Sequence, residues 1–468
     1  MEVITRFAPS PTGYLHIGSA RTAIFNYLFA KHHNGKFLLR IEDTDRARST
    51  KEAIDALVNG LKWLELNWDG EEIYQFSRAA RHKEVAEHLV NMGKAYYCYQ
   101  TQEETEAARE KAKAEGKQYQ YDRKWRNTSI TPPANVKPTI RLKANYEGNT
   151  ILKDLVQGEI SFPNSQIDDM VLLRSDGTPT YMLAVVVDDH DMNITHIIRG
   201  DDHLTNAARQ IQIYEAMGWK IPEFAHIPLI HGSDGAKLSK RHGALGIEAY
   251  KDMGYLPEAL NNYLLRLGWS HGDDEIISHK QAIEWFNLES VGKSPSRIDF
   301  KKLENVNAHY IKISDNKKLA RLIQPLIEKE VGFEQLTESQ ISILEEGIED
   351  LKPRVKTITE LANSAIFYIK EIPVTEELRL SVNQSVDYYL KIAVEIISSI
   401  DVWNAENIEQ KIKNFVEEHE MKFSDLGQAL RVVLTGSKSA PGIFKIIKIL
   451  GKKVTIERIN TWLNYRSL

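Results

Sequence analysis

The stretch APSPTGYLHIGSARTAIFNYLF, residues 8–29, joins a proline-rich loop to an amphipathic run. Its two prolines exclude regular structure at the start, because proline fixes φ and lacks a donor N–H. The apolar spacing then predicts a helix over residues 17–33. The first turn of such a helix presents free backbone N–H groups and the positive end of its dipole, so it can bind an anion. His16 can donate to a phosphate, and Gly18 lets a ligand approach the backbone.

Strand and helix patterns alternate around this stretch. Short apolar runs at residues 3–8 and 36–42 predict strands, and residues 49–64 predict a second helix. This alternation is typical of an α/β fold with a parallel sheet. Further strand-like runs occupy residues 180–190, 194–200 and 226–230, and a helix is predicted over residues 205–218.

The remaining segments have different patterns. Residues 101–116 predict a solvated helix, and residues 128–144 predict a loop that leads into a strand. After about residue 312 the strand signals vanish, and Thr337 with Gln340 forms a capping-box pattern. We therefore predict a Rossmann-type α/β domain with an α+β insertion, followed by an all-α C-terminal region. The predicted boundaries are 1–80 with 181–235 for the Rossmann-type domain, 81–180 for the insertion, 236–312 for a region with a basic loop, and 313–468 for the helical region.

Composition restricts the compartment and the kind of site. The 468 residues carry a net charge of −5 and one cysteine, Cys98. One cysteine excludes a disulfide framework and a Cys-rich zinc site within the chain, and it fits a reducing compartment. We find no signal-peptide pattern and no apolar run near the ~20 residues that a membrane span needs. We expect a cytoplasmic protein without membrane contact.

A second stretch, HGSDGAKLSKRHGALGIEAY at residues 231–250, carries a cluster of cations. Lys237, Lys240 and Arg241 lie beside Ser239. Such a loop suits a triphosphate whose negative charge grows as pyrophosphate is displaced. Taken alone, the loop also reads as a solvated basic segment, and His16 also reads as a surface residue.

Taken together, HIGS at residues 16–19 and KLSKR at residues 237–241 resemble the paired nucleotide motifs of class I aminoacyl-tRNA synthetases. The strings RFAPSPTGYLHIGSARTA, RIEDTDRAR, DGTPTYMLAVVVDDH and IIRGDDH resemble the bacterial glutamyl-tRNA synthetase family, and the resemblance extends over the whole chain. It implies an enzyme that activates glutamate with ATP and Mg²⁺ and transfers it to the 3′ end of tRNA(Glu). It also implies a monomer in which the insertion at 81–180 binds the acceptor end, the region at 236–312 contacts the tRNA stem, and the C-terminal helices at 313–468 read the anticodon.

The resemblance assigns the ATP site. His16 and Lys240 would act on the transition state of activation. The residues expected to bind ATP are Pro11, His16, Gly18, Ser19, Lys237, Ser239, Lys240 and Arg241.

The amino-acid site needs cations for two carboxylates and an acid for one ammonium. Arg6, Glu42 and Arg199 each follow or end a predicted strand, where ligands bind in open α/β sheets. Surface ion pairs are the alternative reading. We interpret Glu42, helped by Ser10, as the partner of the α-amino group. By resemblance, Arg6 meets the side-chain carboxylate, Arg199 meets the α-carboxylate, and Ala8 and Tyr181 line the pocket.

The chain departs from the family pattern at three places. Ser19 stands in place of the second histidine of the general motif. Val185 stands where many relatives have asparagine near the amino-acid pocket. Cys98 is alone, and Trp125 falls where zinc-binding relatives need a cysteine, so we expect no zinc.

The C-terminal region carries the RNA-binding signals. Lys445 and Lys448 are predicted on the outer face of a helix, where they would contact phosphates, although a solvated lysine face is the alternative. By resemblance, Arg354 senses the third anticodon base, and Arg48 reaches the acceptor end unless it serves in structural ion pairing. The basic residues of this region are Arg431, Lys438, Lys445, Lys448, Lys452, Lys453, Arg458 and Arg466, against the single acid Glu457.

Other functions remain open at this point. The chain could also charge tRNA(Gln) with glutamate. It could be a non-catalytic tRNA-binding paralogue, or an adenylyltransferase with another acceptor.

Overall fold

The computed structural model describes residues 2–46, 48–117, 119–232, 234–236, 245–382 and 386–465. The predicted site residues Lys237, Ser239, Lys240 and Arg241, and Arg466 of the basic region, lie outside these described residues. The chain divides into two compact units, residues 1–250 with 260–299 and residues 251–259 with 300–468. Our finer domain boundaries stay predictions.

The first part of the chain alternates strands and helices. Its strands are β1 (Ile4–Phe7), β2 (Lys36–Ile41), β3 (Ile73–Tyr74), β4 (Ala95–Cys98), β5 (Thr139–Leu142), β6 (Asn149–Asp154), β7 (Gly158–Pro163), β8 (Val171–Leu173), β9 (His196–Gly200), β10 (Glu223–Ile227), β11 (Ile230–His231) and β12 (Ser296–Arg297). Its helices are α1 (Ile17–His32), α2 (Lys51–Trp63), α3 (Ala79–Asn91), α4 (Gln102–Ala114), α5 (Tyr181–Asp191), α6 (Leu204–Met217), α7 (Ile247–Asp252), α8 (Pro257–Arg266) and α9 (His279–Trp285).

The parallel strands confirm the α/β prediction. β1 pairs with β2, β2 with β3, β9 with β10, and β10 with β6, all in parallel. The backbone N–H of Thr195 donates to the carbonyl of Ile4 at 2.9 Å, which places β9 beside β1. A separate antiparallel sheet of β4, β5 and β8 belongs to the predicted α+β insertion. The carboxyl ends of β1, β2 and β9 therefore meet at one edge, where ligands of such sheets bind.

The opening stretch folds as predicted into a loop and helix α1. The ring of His16 caps the helix by accepting from the N–H of Ser19 at 3.2 Å. The apolar residues of α1 are buried, and Phe25 meets Phe286 edge-to-face at 5.2 Å. The chain then returns into β2 through Gly35, where a Cβ would lie 2.0 Å from the carbonyl of Val3. Only glycine allows this close approach.

Two strand predictions are wrong. Residues 180–190 form helix α5, not a strand. Its central residues are buried on every side, and a continuous apolar run does not distinguish a buried helix from a buried strand. The run at residues 226–230 is divided between the end of β10 and the start of β11, because proline at position 228 lacks the N–H that a ladder needs.

The second unit confirms the all-α prediction, since the described residues beyond Arg297 contain helices and no strand. The capping box is present, with Thr337 accepting from the N–H of Gln340 and Gln340 accepting from that of Thr337. Within the described segments no helix is long and apolar enough to cross a membrane. The helices are α10 (Phe300–Ile313), α11 (Asn316–Val331), α12 (Glu338–Leu351), α13 (Ile358–Ile369), α14 (Glu376–Leu380), α15 (Val386–Ser398), α16 (Ala405–Glu418), α17 (Phe423–Thr435) and α18 (Ile443–Asn464).

One member of the predicted basic surface is not on the surface. Arg458 is 5% exposed, and its Nη1 donates to the carbonyl of Leu434 at 2.8 Å. Its helix position faces the core of the unit, so it stabilises packing between α17 and α18 and does not face a polyanion.

Candidate active site

A cavity of about 540 Å³ opens at the carboxyl ends of β1, β2 and β9, beside the N-terminus of α1. Most of the predicted site residues in the described part of the chain line it. Pro9 lines it, whereas Pro11 is buried and does not. The predicted residues in the lining are Arg6, Ala8, Ser10, His16, Gly18, Ser19, Glu42, Tyr181 and Arg199.

Arg6 reaches the cavity with its guanidinium held from behind by Asp189. Arg6 Nε donates to Asp189 Oδ1 at 2.9 Å and Nη2 donates to Oδ2 at 3.2 Å, which leaves Nη1. Arg40 Nη1 donates to the same Oδ1 at 2.6 Å. Burial raises the pKa of Asp189, but Arg40 and Arg6 outweigh it, so this pKa is below its usual range. Asp189 is therefore a carboxylate that fixes two buried arginines.

Glu42 is joined to the same network. Arg40 Nη2 donates to Glu42 Oε1 at 3.1 Å. Burial raises the pKa of Glu42 above its usual range, although Arg40 and Arg6 oppose the rise. The hydrogen-bonded series Arg6–Asp189–Arg40–Glu42 contains two positive and two negative charges. It presents one guanidinium and one carboxylate to the cavity.

Arg199 presents a second cation. Its Nε donates to His226 Nε2 at 3.1 Å and its Nη2 donates to Gln210 Oε1 at 2.8 Å. Its Nη1 is buried and has no hydrogen-bond partner among the described residues. Burial lowers the pKa of this guanidinium. A buried donor without a partner costs free energy, about 1–3 kcal/mol or more for a charged group, and a bound carboxylate would remove that cost.

The motif HIGS is organised around the ring of His16. Its Nδ1 accepts from the Ser19 N–H, and its Nε2 lies 2.9 Å from Ser19 Oγ. A Cβ at Gly18 would lie 3.2 Å from this ring, so glycine makes room for the histidine. Gly18 also lines the cavity, so close approach of a ligand to its backbone stays a prediction. The helix terminus still faces the cavity.

Several residues of the site were not predicted from the sequence. Arg21 lines the cavity one turn after Gly18 on the same face of α1, a spacing that would have identified it. Arg21 donates to the carbonyls of Leu267 and Pro228, and burial lowers its pKa to about 10. Arg40 and Asp189 carried no local signal, because 149 residues separate them. Other lining residues that were missed are Thr22, Asp202, His203 and Asn206.

Tyr181 begins α5 and lines the cavity, with its hydroxyl 3.3 Å from His203 Nδ1. Burial, followed by the charge of Glu42, raises its pKa. Val185 lies one turn further along α5, is 1% exposed and does not line the cavity. Its side chain belongs to the apolar interior.

In the helical unit, Arg354 is exposed at the end of a short 3₁₀ turn, Lys352–Arg354. It lines a cavity of about 300 Å³ together with Asn363 and Phe367. Lys445 and Lys448 lie on the outer face of α18 as predicted. Lys445 Nζ pairs with Asp350 at 2.8 Å, and Lys448 pairs with Glu346, both on α12.

Arg48, in the first unit, is exposed and pairs with Asp45 at 2.6 Å. The ion pair that we gave as the alternative role of Arg48 is therefore present. Any phosphate contact by Arg48 would compete with this acid.

Cys98 is buried among Tyr96, Tyr121 and Trp125, with its Sγ 3.4 Å from the Tyr121 hydroxyl. Across the ranges that the structure covers, no group of three His, Cys, Asp or Glu side chains could hold a metal ion. The absence of zinc stays a prediction.

Comparisons with known proteins agree with this geometry. Residues 2–305 match the family model of the class I tRNA synthetase (E and Q) catalytic domain, and residues 318–463 match an anticodon binding domain. Glutamate–tRNA ligase 2 of Paramagnetospirillum magneticum is 54% identical over 98% of this chain and 97% of its own. Its counterpart in Rickettsia felis is 53% identical over 98% and 99%. The crystal structure of a glutamate tRNA ligase from Elizabethkingia meningosepticum, in complex with its amino acid, is similar with a TM-score of 0.86, at 32% identity over 99% of each chain.

Proposed function

The chain belongs to the glutamate–tRNA ligases, a family of class I tRNA synthetases, and from this premise we propose how its cavity binds glutamate and ATP. The enzyme joins glutamate to tRNA at the expense of ATP, as its family does. The observation that carries the proposed binding mode is the buried Nη1 of Arg199, which has no partner among the described residues.

Arg199 Nη1 binds the α-carboxylate of glutamate. Arg6 Nη1, the guanidinium nitrogen that does not bind Asp189, binds the side-chain carboxylate. Glu42, at the end of β2, accepts from the α-ammonium, with Ser10 and Ala8 beside it in the lining. Tyr181 closes the pocket from α5. The charges of the ligand and the site match one for one.

This arrangement accounts for selection of the amino acid. Glutamine would leave a buried arginine facing a neutral amide, which costs at least about 1–3 kcal/mol. Aspartate is one methylene shorter, so it loses about 1–3 kcal/mol of contact and reaches Arg6 poorly. Because Arg40 holds Asp189 and Asp189 holds Arg6 through two hydrogen bonds, the guanidinium does not move to meet the shorter acid.

ATP binds beside the N-terminus of α1, where His16 and Ser19 line the cavity. The helix terminus favours its phosphates. Lys237, Ser239, Lys240 and Arg241 remain predicted contributors to this site. Pro11, which is buried outside the lining, would contribute only by stiffening the loop. Asp202 lines the cavity, but the described residues hold no cluster of acids for a resident ion, so Mg²⁺ would arrive on the ATP phosphates and screen their charge.

The reaction consists of two displacements. The α-carboxylate oxygen of glutamate attacks the α-phosphorus of ATP, and pyrophosphate leaves. A terminal ribose hydroxyl of tRNA then attacks the carbonyl carbon of the adenylate, and AMP leaves. Neither step needs a protein nucleophile, so the residues of the cavity act by positioning and by charge stabilisation. His16 and Lys240 act in the first transition state.

We propose tRNA(Glu) as the acceptor, with Arg354 reading the third anticodon base. The cavity at Arg354 has room for one splayed base beside Phe367. Arg48, Lys445 and Lys448 contact phosphates by exchanging their carboxylate partners for the RNA. The enzyme acts as a monomer, a proposal supported by family behaviour. It acts in the cytoplasm, a proposal supported by its single cysteine, which fits a reducing compartment.

The test is glutamate charging of purified tRNA(Glu) and tRNA(Gln), side by side. We expect charging of tRNA(Glu) well above that of tRNA(Gln). Equal charging would show that both tRNAs are acceptors and would reject tRNA(Glu) as the specific acceptor. No charging of either, with active controls, would reject the function for this chain.

A further inference from the structure

Arg199 is held from behind by a buried pair of residues that the reaction itself does not use. His226 and Arg199 are register partners on the adjacent parallel strands β10 and β9. His226 Nδ1 lies 2.6 Å from Asp154 Oδ2, at the end of β6, while His226 Nε2 lies 3.1 Å from Arg199 Nε. His226 is fully buried, and Asp154 and Arg199 are each 6% exposed.

The hydrogen-bond donors and acceptors of Asp154, His226 and Arg199 determine the protonation state of His226. Arg199 Nε can only donate, so His226 Nε2 must be a lone-pair acceptor. The ring is therefore neutral, and its single proton sits on Nδ1, which donates to Asp154. Asp154 is itself fixed, because Oδ1 accepts from the backbone N–H groups of Val156 at 3.0 Å and Gln157 at 2.8 Å.

We propose that Asp154 and His226 are positioning residues that orient Arg199 for the α-carboxylate of glutamate, and that protonation of His226 releases this orientation. Asp154 sets the tautomer of His226, and His226 then sets the rotation of the guanidinium. A second proton on the ring would take away the acceptor of Arg199 Nε and place two cations in contact. This inference rests on the proposed binding of glutamate by Arg199.

The charges around His226 support this behaviour. Asp154 on β6 and Asp201, which follows β9, favour the protonated ring, whereas Arg199 on β9 and His203 oppose it. Burial is the largest influence and lowers the pKa of His226 below its usual range. The ring is thus neutral at physiological pH and becomes charged only at a pH below the ordinary pKa of histidine.

The test compares His226→Gln, His226→Leu and Asp154→Asn with the parent enzyme in charging of tRNA(Glu). Glutamine keeps an acceptor for Arg199 but does not titrate, and leucine keeps bulk without an acceptor. The matched control is His196→Gln, the same substitution in a half-buried histidine at the other end of β9. The KM values for glutamate and for ATP are measured from about pH 5 to about pH 8, a range that extends well below the ordinary pKa of histidine because burial lowers the pKa of His226.

We expect the parent and His196→Gln to show a rising KM for glutamate as pH falls, and His226→Gln to lose this rise. His226→Leu and Asp154→Asn should raise the KM for glutamate about tenfold at neutral pH, with the KM for ATP within about twofold. An acid rise in His226→Gln equal to that of the parent would overturn the proposal, even if the leucine variant does not fold. So would an unchanged KM for glutamate in a folded His226→Leu.

Arg199→Gln separates this inference from the proposed function. If Arg199→Gln raises the KM for glutamate and the His226 variants do not, the positioning role alone is wrong. If Arg199→Gln also leaves that KM unchanged, the assignment of Arg199 to glutamate is wrong as well.

Discussion

Arg6 and Asp189 are joined by two hydrogen bonds, Nε to Oδ1 at 2.9 Å and Nη2 to Oδ2 at 3.2 Å, although 183 residues separate them. The pair lies behind the cavity and leaves one guanidinium nitrogen for a ligand. Arg40 shares Asp189 and extends the contact to Glu42. The positions of Arg6 and Glu42, the proposed cation and anion of the glutamate site, are thus coupled through the buried carboxylate of Asp189.

Asp189→Asn should damage both stability and glutamate binding. Breaking a buried ion pair leaves charges uncompensated, so we expect a loss of about 3 kcal/mol in the free energy of unfolding. We also expect the KM for glutamate to rise about tenfold, because Arg6 loses its fixed orientation. Urea unfolding and steady-state charging measure the two effects. Asp191→Asn, in the same helix but partly exposed, is the control, and equal effects of both variants would contradict the account.

Arg6→Gln should weaken the selection of glutamate over glutamine. Loss of the partner of a buried carboxylate costs at least about 2 kcal/mol, so kcat/KM for glutamate should fall by about thirtyfold or more, while glutamine loses much less. Arg6→Lys keeps the charge but not the fork and should show an intermediate loss. Charging is measured with each amino acid. Arg81→Gln, which removes a partly exposed pair with Asp191, is the control. An unchanged ratio in Arg6→Gln would reject the role of Arg6.

The sequence predicted the loop, helix α1 and the ends of β1, β2 and β9, because prolines, caps and apolar periodicity are local signals. It therefore placed Arg6, Glu42 and Arg199 at one edge. It misread α5 as a strand, since an apolar run that is buried on all sides carries no period. It could not find the pairing of Arg40 with Asp189, which depends on tertiary contact across 149 residues.

Arg354→Gln should relax the choice of tRNA. If the guanidinium reads the third anticodon base, its loss removes a base-edge contact worth about 1–3 kcal/mol. The ratio of kcat/KM for tRNA(Glu) to that for tRNA(Gln) should then fall by about tenfold or more. Arg321→Gln, an exposed arginine on α11, is the control. The same ratio in parent and variant would mean that Arg354 is not a reader.

Lys445→Gln should reduce the salt dependence of tRNA binding. A lysine that neutralises one phosphate contributes about 1 to the slope of log affinity against log salt. Asp350→Asn should have the opposite effect on affinity, because it releases Lys445 from its carboxylate partner. Titrations of tRNA(Glu) at several salt concentrations measure both. Lys413→Gln on α16, which is paired with Glu409, serves as the control. A slope unchanged by Lys445→Gln would assign this lysine to stability alone.

Loss of His196 should flatten the acid side of the stability curve. Burial, followed by the charges of His33 and Lys220, lowers the pKa of His196 to about 4. In the unfolded chain a histidine titrates near 6.5, so between these values the unfolded state binds more protons. Stability is therefore lost as pH falls from about 6.5 to about 4. We expect His196→Gln to reduce this slope in urea unfolding, and exposed His271→Gln to retain it. Equal slopes in the two variants would contradict the assignment.

The most direct test of the account is the KM for glutamate of Arg199→Gln, measured with the KM for ATP in charging of tRNA(Glu). If Arg199 binds the α-carboxylate, the KM for glutamate rises about thirtyfold or more while the KM for ATP stays within about twofold. A KM for glutamate equal to that of the parent enzyme, in a folded and active variant, would contradict the proposed glutamate site.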